Sequence, residues 1–295
     1  MLNHDYLPAH GGRVVSVFPP ICADGACDVT LADLTIDGAG DPEHLGGCRG
    51  GGVYLLRTHR ALIDDVEVRD FNGDAVSFQQ CTDVAVRNCE LRHNAGGGIH
   101  PGSGSVRYRL SGNRVHHNGR DGIFYCLRTT HSDCEGNLIH HNGGAGISIG
   151  ERDTDHSIAG NRISENGRPG LAFRPVQYHG GDRIAISGNV LAGNGGDAEV
   201  VIAPRIRDVA LGGNRFECVG RPALAVGEGC ERIHLSGDSA DGRPLVREDV
   251  SDPAGRATWG GRAEPLRAGL RFATDRHTRH LAYHLPPDMP PFLSS

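Results

Sequence analysis

Gly112-Asn113-Arg114, Gly136-Asn137-Leu138 and Gly160-Asn161-Arg162 are one phrase written three times, each 24 residues after the last. A second phrase keeps the same beat at Asn94, Asn118, Asn142 and Asn166. A fixed period in this range belongs to solenoids, where each repeat is one unit stacked on its predecessor. The markers continue at Asn189 and Asn194 after a single step of 28 residues, so that coil carries a four-residue insertion, and at Asn214 after 25.

The text between markers is strand-like. Val84-Ala85-Val86, Tyr108-Arg109-Leu110, Gly146 to Ile149 and Ala75 to Phe78 alternate inward and outward positions and are bounded by Gly, Asn and Asp, which is turn chemistry. No window holds a 3.6-residue period, and the Leu-x-x-Leu-x-Leu pattern of leucine-rich repeats is missing. Each unit reads as strand, Gly-Asn turn, strand, Asn-Gly turn, strand. The expected fold is therefore all-β: a parallel β-helix of about nine coils with a period of about 24 residues. Stacking coils about 4.8 Å apart turns the Asn columns into ladders. The expected division is residues 1–27 as an N-terminal cap or the remnant of a longer N-terminal part, 28–238 as the β-helix, and 239–295 as a C-terminal tail or cap. That tail would pack along the solenoid through Trp259, Leu266, Leu270, Phe272 and Tyr283.

Composition narrows the function. A net charge of −6 gives no footprint for nucleic acid. All 30 basic residues are Arg, so any cationic or basic role falls to Arg, His or Tyr. The nine Cys lack a C-x-x-C pair, and most sit in strand contexts, where a reduced thiol is a small apolar residue. Residues 1–20 lack a basic start and an apolar core, so no secretory signal is read. No stretch approaches a membrane span. The expectation is a cytoplasmic protein as the chain is written, or a secreted one if an N-terminal part has been removed.

Stacking converts sequence columns into surfaces. Aligned on the Gly/Ala-apolar step before each strand, His100, Phe124, Ser148 and Ala172 share one column, and Gly102, Cys126, Gly150 and Arg174 another. Asp74, Gly97 and Asp121 align just before the strand. The polar content gathers in Ser77 to Gln80, His100 to Ser105, Tyr125 to His131 and Glu151 to His156. An extended polymer lying across the coils would meet these residues in turn. Gln79, Gln80, Ser103, Arg174 and Tyr178 are expected to bind it. Arg128, Arg152 and Arg174 offer forked donors for carboxylates or sulfates. His100, His131 or Tyr125 would be the general base. Asp121 and Glu151 are candidate acids. Asp153 and Asp155 are candidate cation ligands; no cofactor is required, with Ca²⁺ the one option, although no D-x-[DN]-x-[DN]-G loop is present.

A second polar column is formed by His93, His117 and His141, with His116 and His140 beside it. The same slot holds Asp70 one coil before and Glu165 one coil after. Turn histidines bonded to backbone fit this pattern better than a metal centre, because ligands evenly spaced along parallel strands do not form a tetrahedron. The glycine-rich run Gly96 to Ser105 lacks the GK[ST] ending of a phosphate loop, and no G-x-S-x-G elbow occurs.

Gly47 to Leu55, Phe71 to Cys81, His100 to Ser105, Gly146 to Asp155 and the Asn-Gly turns together resemble a group of bacterial right-handed parallel β-helix proteins. The wider class includes pectate lyases, alginate lyases, mannuronan epimerases and polygalacturonases. The resemblance implies an oligo- or polysaccharide partner and an enzyme of the polysaccharide lyase or C5-epimerase type. Inverting glycoside hydrolysis using Asp121 and Glu151, a non-catalytic glycan-binding solenoid, and tailoring of a small molecule in a biosynthetic cluster are the alternatives. The Asp-Pro-His-Asp motif of mannuronan epimerases is absent, and members of the group often carry His where this chain has Glu151.

Overall fold

The repeated Gly-Asn phrase is a turn that only a left-handed residue can make. Gly112, Gly136 and Gly160 have φ of 64°, 62° and 63°, a region open to glycine at no steric cost. Each turns a corner within one coil, as Gly112 does between Val106–Ser111 and Arg114–His116. In this computed structural model, residues 19–38, 50–218 and 220–260 are described, with the backbone of Leu7–Pro8, Val14–Val15, Phe272–Thr274 and Leu281–Tyr283.

Two sheets, parallel except for the pairing of Ser239–Ala240 with Arg243–Pro244, are wound from these coils. The ten-stranded sheet carries one strand per coil, in sequential order: β1 (Ile21–Asp24), β2 (Val53–Leu56), β3 (Val76–Gln79), β4 (Ile99–Gly102), β5 (Ile123–Phe124), β6 (Ile147–Ile149), β7 (Leu171–Phe173), β8 (Val200–Ile202), β9 (Leu224–Val226) and β10 (Val250–Ser251). Its register follows the sequence beat, Ile99 opposite Ile123, Ile123 opposite Ile147 and Ile147 opposite Leu171. An eighteen-stranded sheet wraps the remaining faces. Among the described residues the one helical element is the 3₁₀ turn Arg247–Asp249.

Strand alternation builds the core. Val76, Ile99, Ile123, Ile147, Leu171, Val200 and Leu224 point inward as one stack and are fully buried. The Asn columns form two ladders along the turns. Asn113 Nδ2 donates to Asn137 Oδ1, Asn137 to Asn161, Asn161 to Asn189 and Asn189 to Asn214, each at 2.9 Å. The second ladder runs from Asn94 through Asn118, Asn142 and Asn166 to Asn194. Both finish on carboxylates, Asp238 for the first and Glu199 for the second. The last amide of a ladder needs a partner that only accepts, which an ionised carboxylate supplies.

Coil pairing extends past both expected boundaries. Ile21 to Asp24 already pairs with Val53 to Leu56, and Ala257 to Trp259 still pairs with Ile233 to Leu235. The expected covering of the open end by the N-terminal residues, and the packing of Leu266, Leu270, Phe272 and Tyr283, lie outside the described residues.

Candidate functional site

Because side chains alternate along each strand, every second residue of β3–β7 faces away from the core. Ser77, His100, Phe124, Ser148 and Ala172 form one outward row. Gln79, Gly102, Cys126, Gly150 and Arg174 form the next, with Gly102 bridged to Cys126.

Asp74, at the turn before β3, spans this row diagonally. Its Oδ1 accepts the Gly97 N–H at 2.6 Å and its Oδ2 accepts from His100 Nδ1 at 2.7 Å. Burial by itself would lower the His100 pKa. The hydrogen bond to Asp74 and the charge of Asp74, with a further contribution from the neighbouring Cys126, outweigh it and raise the imidazole to about 9. Burial likewise works against the Asp74 carboxylate, but His100 and the Gly97 N–H hold it below its ordinary value. The His100 ring meets the Phe124 ring edge to face at 5.0 Å. Asp121 repeats the Asp74 turn two coils on, its Oδ1 accepting the Ala145 N–H at 2.6 Å. With no imidazole above it, burial dominates and pushes the Asp121 carboxyl up, against Ala145, Arg174 and Ser148.

Arg174 closes the far side. Its Nη1 donates to Ser148 Oγ at 2.6 Å, its Nη2 to the Tyr125 carbonyl at 2.7 Å, and its guanidinium lies 4.1 Å over the Phe124 ring. The four-residue insertion lies just beyond it. Phe173 still pairs 24 residues back with Ile149, whereas Asp182 pairs 28 back with Thr154. The enlarged loop borders the outward rows, and Glu151 fastens it by accepting the N–H groups of Gln177 and Tyr178 at 2.7 and 3.3 Å. Tyr178 stands 66 % exposed at its tip, under the Arg152 guanidinium at 5.0 Å. Gln80, Ser103 and Arg128 occupy left-handed turn positions along the same edge. Arg128 is exposed, with no ion-pair partner among the described residues.

Several expected residues are not where the chemistry needs them. Tyr125 is one step along the strand from Phe124, so it faces inward; it is fully buried against Tyr108 and His156, and burial raises its hydroxyl well above the ordinary value. His131 belongs to Thr130–Glu135 in the other sheet, and burial lowers its pKa. Neither is a base for this face. Glu151 is a loop anchor, which removes the second carboxylate of the Asp121–Glu151 hydrolytic pair. Asp153 is fully buried, with its oxygens taken by the Thr129 N–H and hydroxyl and the Gly150 N–H. Asp155 binds Arg183 at 2.6 Å through both oxygens. Carboxylates already saturated by hydrogen-bond donors do not fit Ca²⁺. Gln79 is buried, its amide donating to Ser77 Oγ at 2.9 Å; its carboxamide lies over Gly102.

Asp74, Phe124 and Cys126 were not among the residues expected to act. The columns already held the signal: Asp74 shares its slot with Asp121, Phe124 with His100, and Cys126 with Arg174.

In the histidine column the rings bond one another rather than backbone. His116 Nδ1 faces His117 Nδ1 at 2.8 Å, and His140 faces His141 at the same distance. His116 stacks on His140 at 4.8 Å and His117 on His141 at 4.9 Å. His93, His117 and His141 take the left-handed φ of the turn, 54–55°.

A family model described as right handed beta helix region matches residues 20–191. No curated protein matches the chain. Among solved structures, the A-module of the mannuronan C-5 epimerase AlgE6 of Azotobacter vinelandii is similar at 16 % identity and a TM-score of 0.59, over 81 % of this chain and 74 % of that one. The periplasmic alginate epimerase AlgG matches at 16 % identity and 0.54, over 66 % of this chain and 48 % of its own length. The surface adhesin PfbA of Streptococcus pneumoniae matches at 9 % identity and 0.54, over 74 % and 62 %. At these identities the likeness is one of fold. The 24-residue beat, the sequential parallel sheets and the family match agree: the chain belongs to the right-handed β-helix family.

Proposed function

We propose that the chain acts on an acidic polysaccharide laid across β3–β7, by abstraction of the proton beside a sugar carboxylate, as a polysaccharide lyase or C5-epimerase. The observation that carries this reading is the Asp74–His100 pair at 2.7 Å, flanked by Phe124 and Arg174 on an outward face. Two similar folds are named for epimerisation of mannuronan or alginate, which supports the substrate class by analogy of fold alone.

Asp74 fixes Nδ1 as the protonated nitrogen and leaves Nε2 to titrate. Neutral His100 is the base. Its pKa of about 9 makes the neutral form scarce at neutral pH, so turnover rises into the alkaline range. Arg128 and Arg152 at the edge, with Arg174, bind the sugar carboxylate and offset the enolate-like charge that develops on it. Tyr178 offers a ring face to a sugar. In elimination, the C5–H bond breaks toward His100, the C4–O bond breaks, and a C4–C5 double bond forms. The departing oxygen takes its proton from solvent water.

The test is incubation with a panel of polyuronates and sulfated glycans, with and without Ca²⁺. Ultraviolet absorbance reports an unsaturated product, and proton NMR reports inversion at C5. New reducing ends without unsaturation would transfer the site to hydrolysis. Binding without turnover would leave a glycan-binding solenoid. No binding or turnover on any glycan would end the reading.

A further inference from the structure

An arginine at a left-handed turn position of this solenoid ordinarily meets an aspartate one coil back. Arg60 donates to both oxygens of Asp28 at 2.7 and 2.8 Å, and Arg183 to both oxygens of Asp155 at 2.6 Å. Five of the eight arginines with left-handed φ are paired in this way. A sixth, Arg205, donates to the Val176 carbonyl at 3.0 Å. The other two are Arg128 and Arg152.

These two stand in one column. The Gly104 N–H donates to the Leu127 carbonyl, that of Arg128 to Glu151 and that of Arg152 to His179, so Gly104, Arg128, Arg152 and Gly180 follow one another on successive coils. The two arginine backbones are therefore about 4.8 Å apart. Like charges so placed repel, and no aspartate lies between them in the column. Arg128 has no ion-pair partner among the described residues. Arg152 Nε is 3.8 Å from Glu151, whose carboxylate already accepts the loop N–H groups. The Arg152 guanidinium lies over the Tyr178 ring at 5.0 Å, a contact made through its face that leaves its edge donors free. Gly104 leaves the flank open: a Cβ there would meet nothing within 4 Å. Leu127 and Arg128 are successive non-glycine residues at φ of 68° and 66°, a strained backbone of the kind that persists at ligand clamps.

The paired arginines show what one fork takes. A carboxylate has two oxygens, and a single guanidinium fills both. Two guanidinium groups one coil apart, with no acid between them, offer more donors than one carboxylate accepts. A sulfate or phosphate ester has three free oxygens in a tetrahedral array, enough to meet two forks at once.

We propose that Arg128 and Arg152 form a site for a tetrahedral oxyanion, and that the glycan taken by this face carries a sulfate or phosphate ester besides its carboxylates. The second half of this inference rests on the glycan reading above; the anion site does not. Tyr178 holds the Arg152 side of the site, and Arg128 holds the other.

The folded protein is titrated with sodium sulfate, sodium phosphate and sodium acetate at matched ionic strength, followed by the NMR signals of the arginine Nε–H groups. Sulfate or phosphate is expected to bind at least about 10-fold more tightly than acetate, and Arg128→Gln or Arg152→Gln to weaken it about 10-fold. Arg152→Lys keeps the charge without the fork, and is expected to lose the preference over acetate. A uronate oligosaccharide is then compared in sulfated, phosphorylated and desulfated forms; the form bearing the preferred ester is expected to bind about 10-fold more tightly than the desulfated one. Acetate binding as tightly as both tetrahedral ions overturns the anion site, as does tetrahedral-ion binding unchanged in both glutamine variants, each folded by its melting curve. Equal affinity for all three oligosaccharides overturns the ester. A silent turnover panel with sulfate binding intact removes the proposed reaction and leaves the site standing.

Discussion

His100 Nδ1 lies 2.7 Å from Asp74 Oδ2, and the two residues come from adjacent coils, 26 positions apart. Removing the carboxylate with Asp74→Asn is expected to bring the imidazole down from about 9 by roughly 1–3 units. NMR titration, with His100→Gln to assign the signal, reads the change. The pair also makes stability depend on pH. The folded pKa lies above the ordinary 6.5, so the stabilisation is complete below that value and is lost as pH rises through about 9. The full span is about 3 kcal/mol. Denaturation midpoints that do not fall faster with rising pH in wild type than in Asp74→Asn would refute the assignment.

Arg174 and Tyr178 separate two kinds of contact. Arg174→Ala gives up two hydrogen bonds and the stack on Phe124, and is expected to cost about 1–3 kcal/mol of stability as well as glycan affinity. Tyr178→Ala removes a ring that is 66 % exposed, and is expected to weaken glycan binding about 5-fold with an unchanged melting temperature. Calorimetry paired with binding isotherms distinguishes them. A large loss of stability in Tyr178→Ala would contradict its role as a free platform.

Asn161 links three coils. It accepts from Asn137, donates to Asn189 at 2.9 Å, and donates to the Cys134 carbonyl at 2.9 Å, all out of water. Asn161→Ala leaves buried donors and an acceptor unmet, and is expected to cost about 2–5 kcal/mol in denaturant unfolding. A loss below about 1 kcal/mol would mean that water replaces the ladder.

Acid is expected to weaken the solenoid through its histidines. Burial and the neighbouring charges of His116 and His141 push His140 down to about 4, and burial drives His156 to about 3. Unfolded histidine takes a proton near 6.5, so the unfolded chain binds more protons between 6.5 and these values, and stability falls as pH drops. For the fully buried His156 the loss reaches roughly 3 kcal/mol by about pH 4. His156→Gln is expected to flatten the acid limb of a melting-temperature profile. An unchanged limb would assign acid unfolding to other groups.

Glu151→Ala is expected to free the enlarged loop without touching the core, because its carboxylate meets the N–H groups of Gln177 and Tyr178 at the surface. Limited proteolysis between Arg174 and Gly181 should speed up while the melting temperature moves by less than about 1 kcal/mol equivalent. Unchanged cleavage would show that the loop is held by other contacts.

The sequence alone determined which residues become neighbours along the coils. In a solenoid the partner of each residue lies one period away, so counting by 24 recovers the sheet register, both ladders, the insertion and the row that joins Cys126 to Arg174. It also contained the inward turn of Tyr125, since alternation sends the residue after Phe124 to the core. Only the tertiary structure decided what the side chains do within those rows. Asp74 reaches diagonally across a coil to His100, Glu151 turns to the loop, and Gln79 and Arg174 swing over the glycines beside Cys126. Column counting fixes where each Cα stands; the direction of a long side chain depends on which adjacent space is empty and which donor lies within reach there.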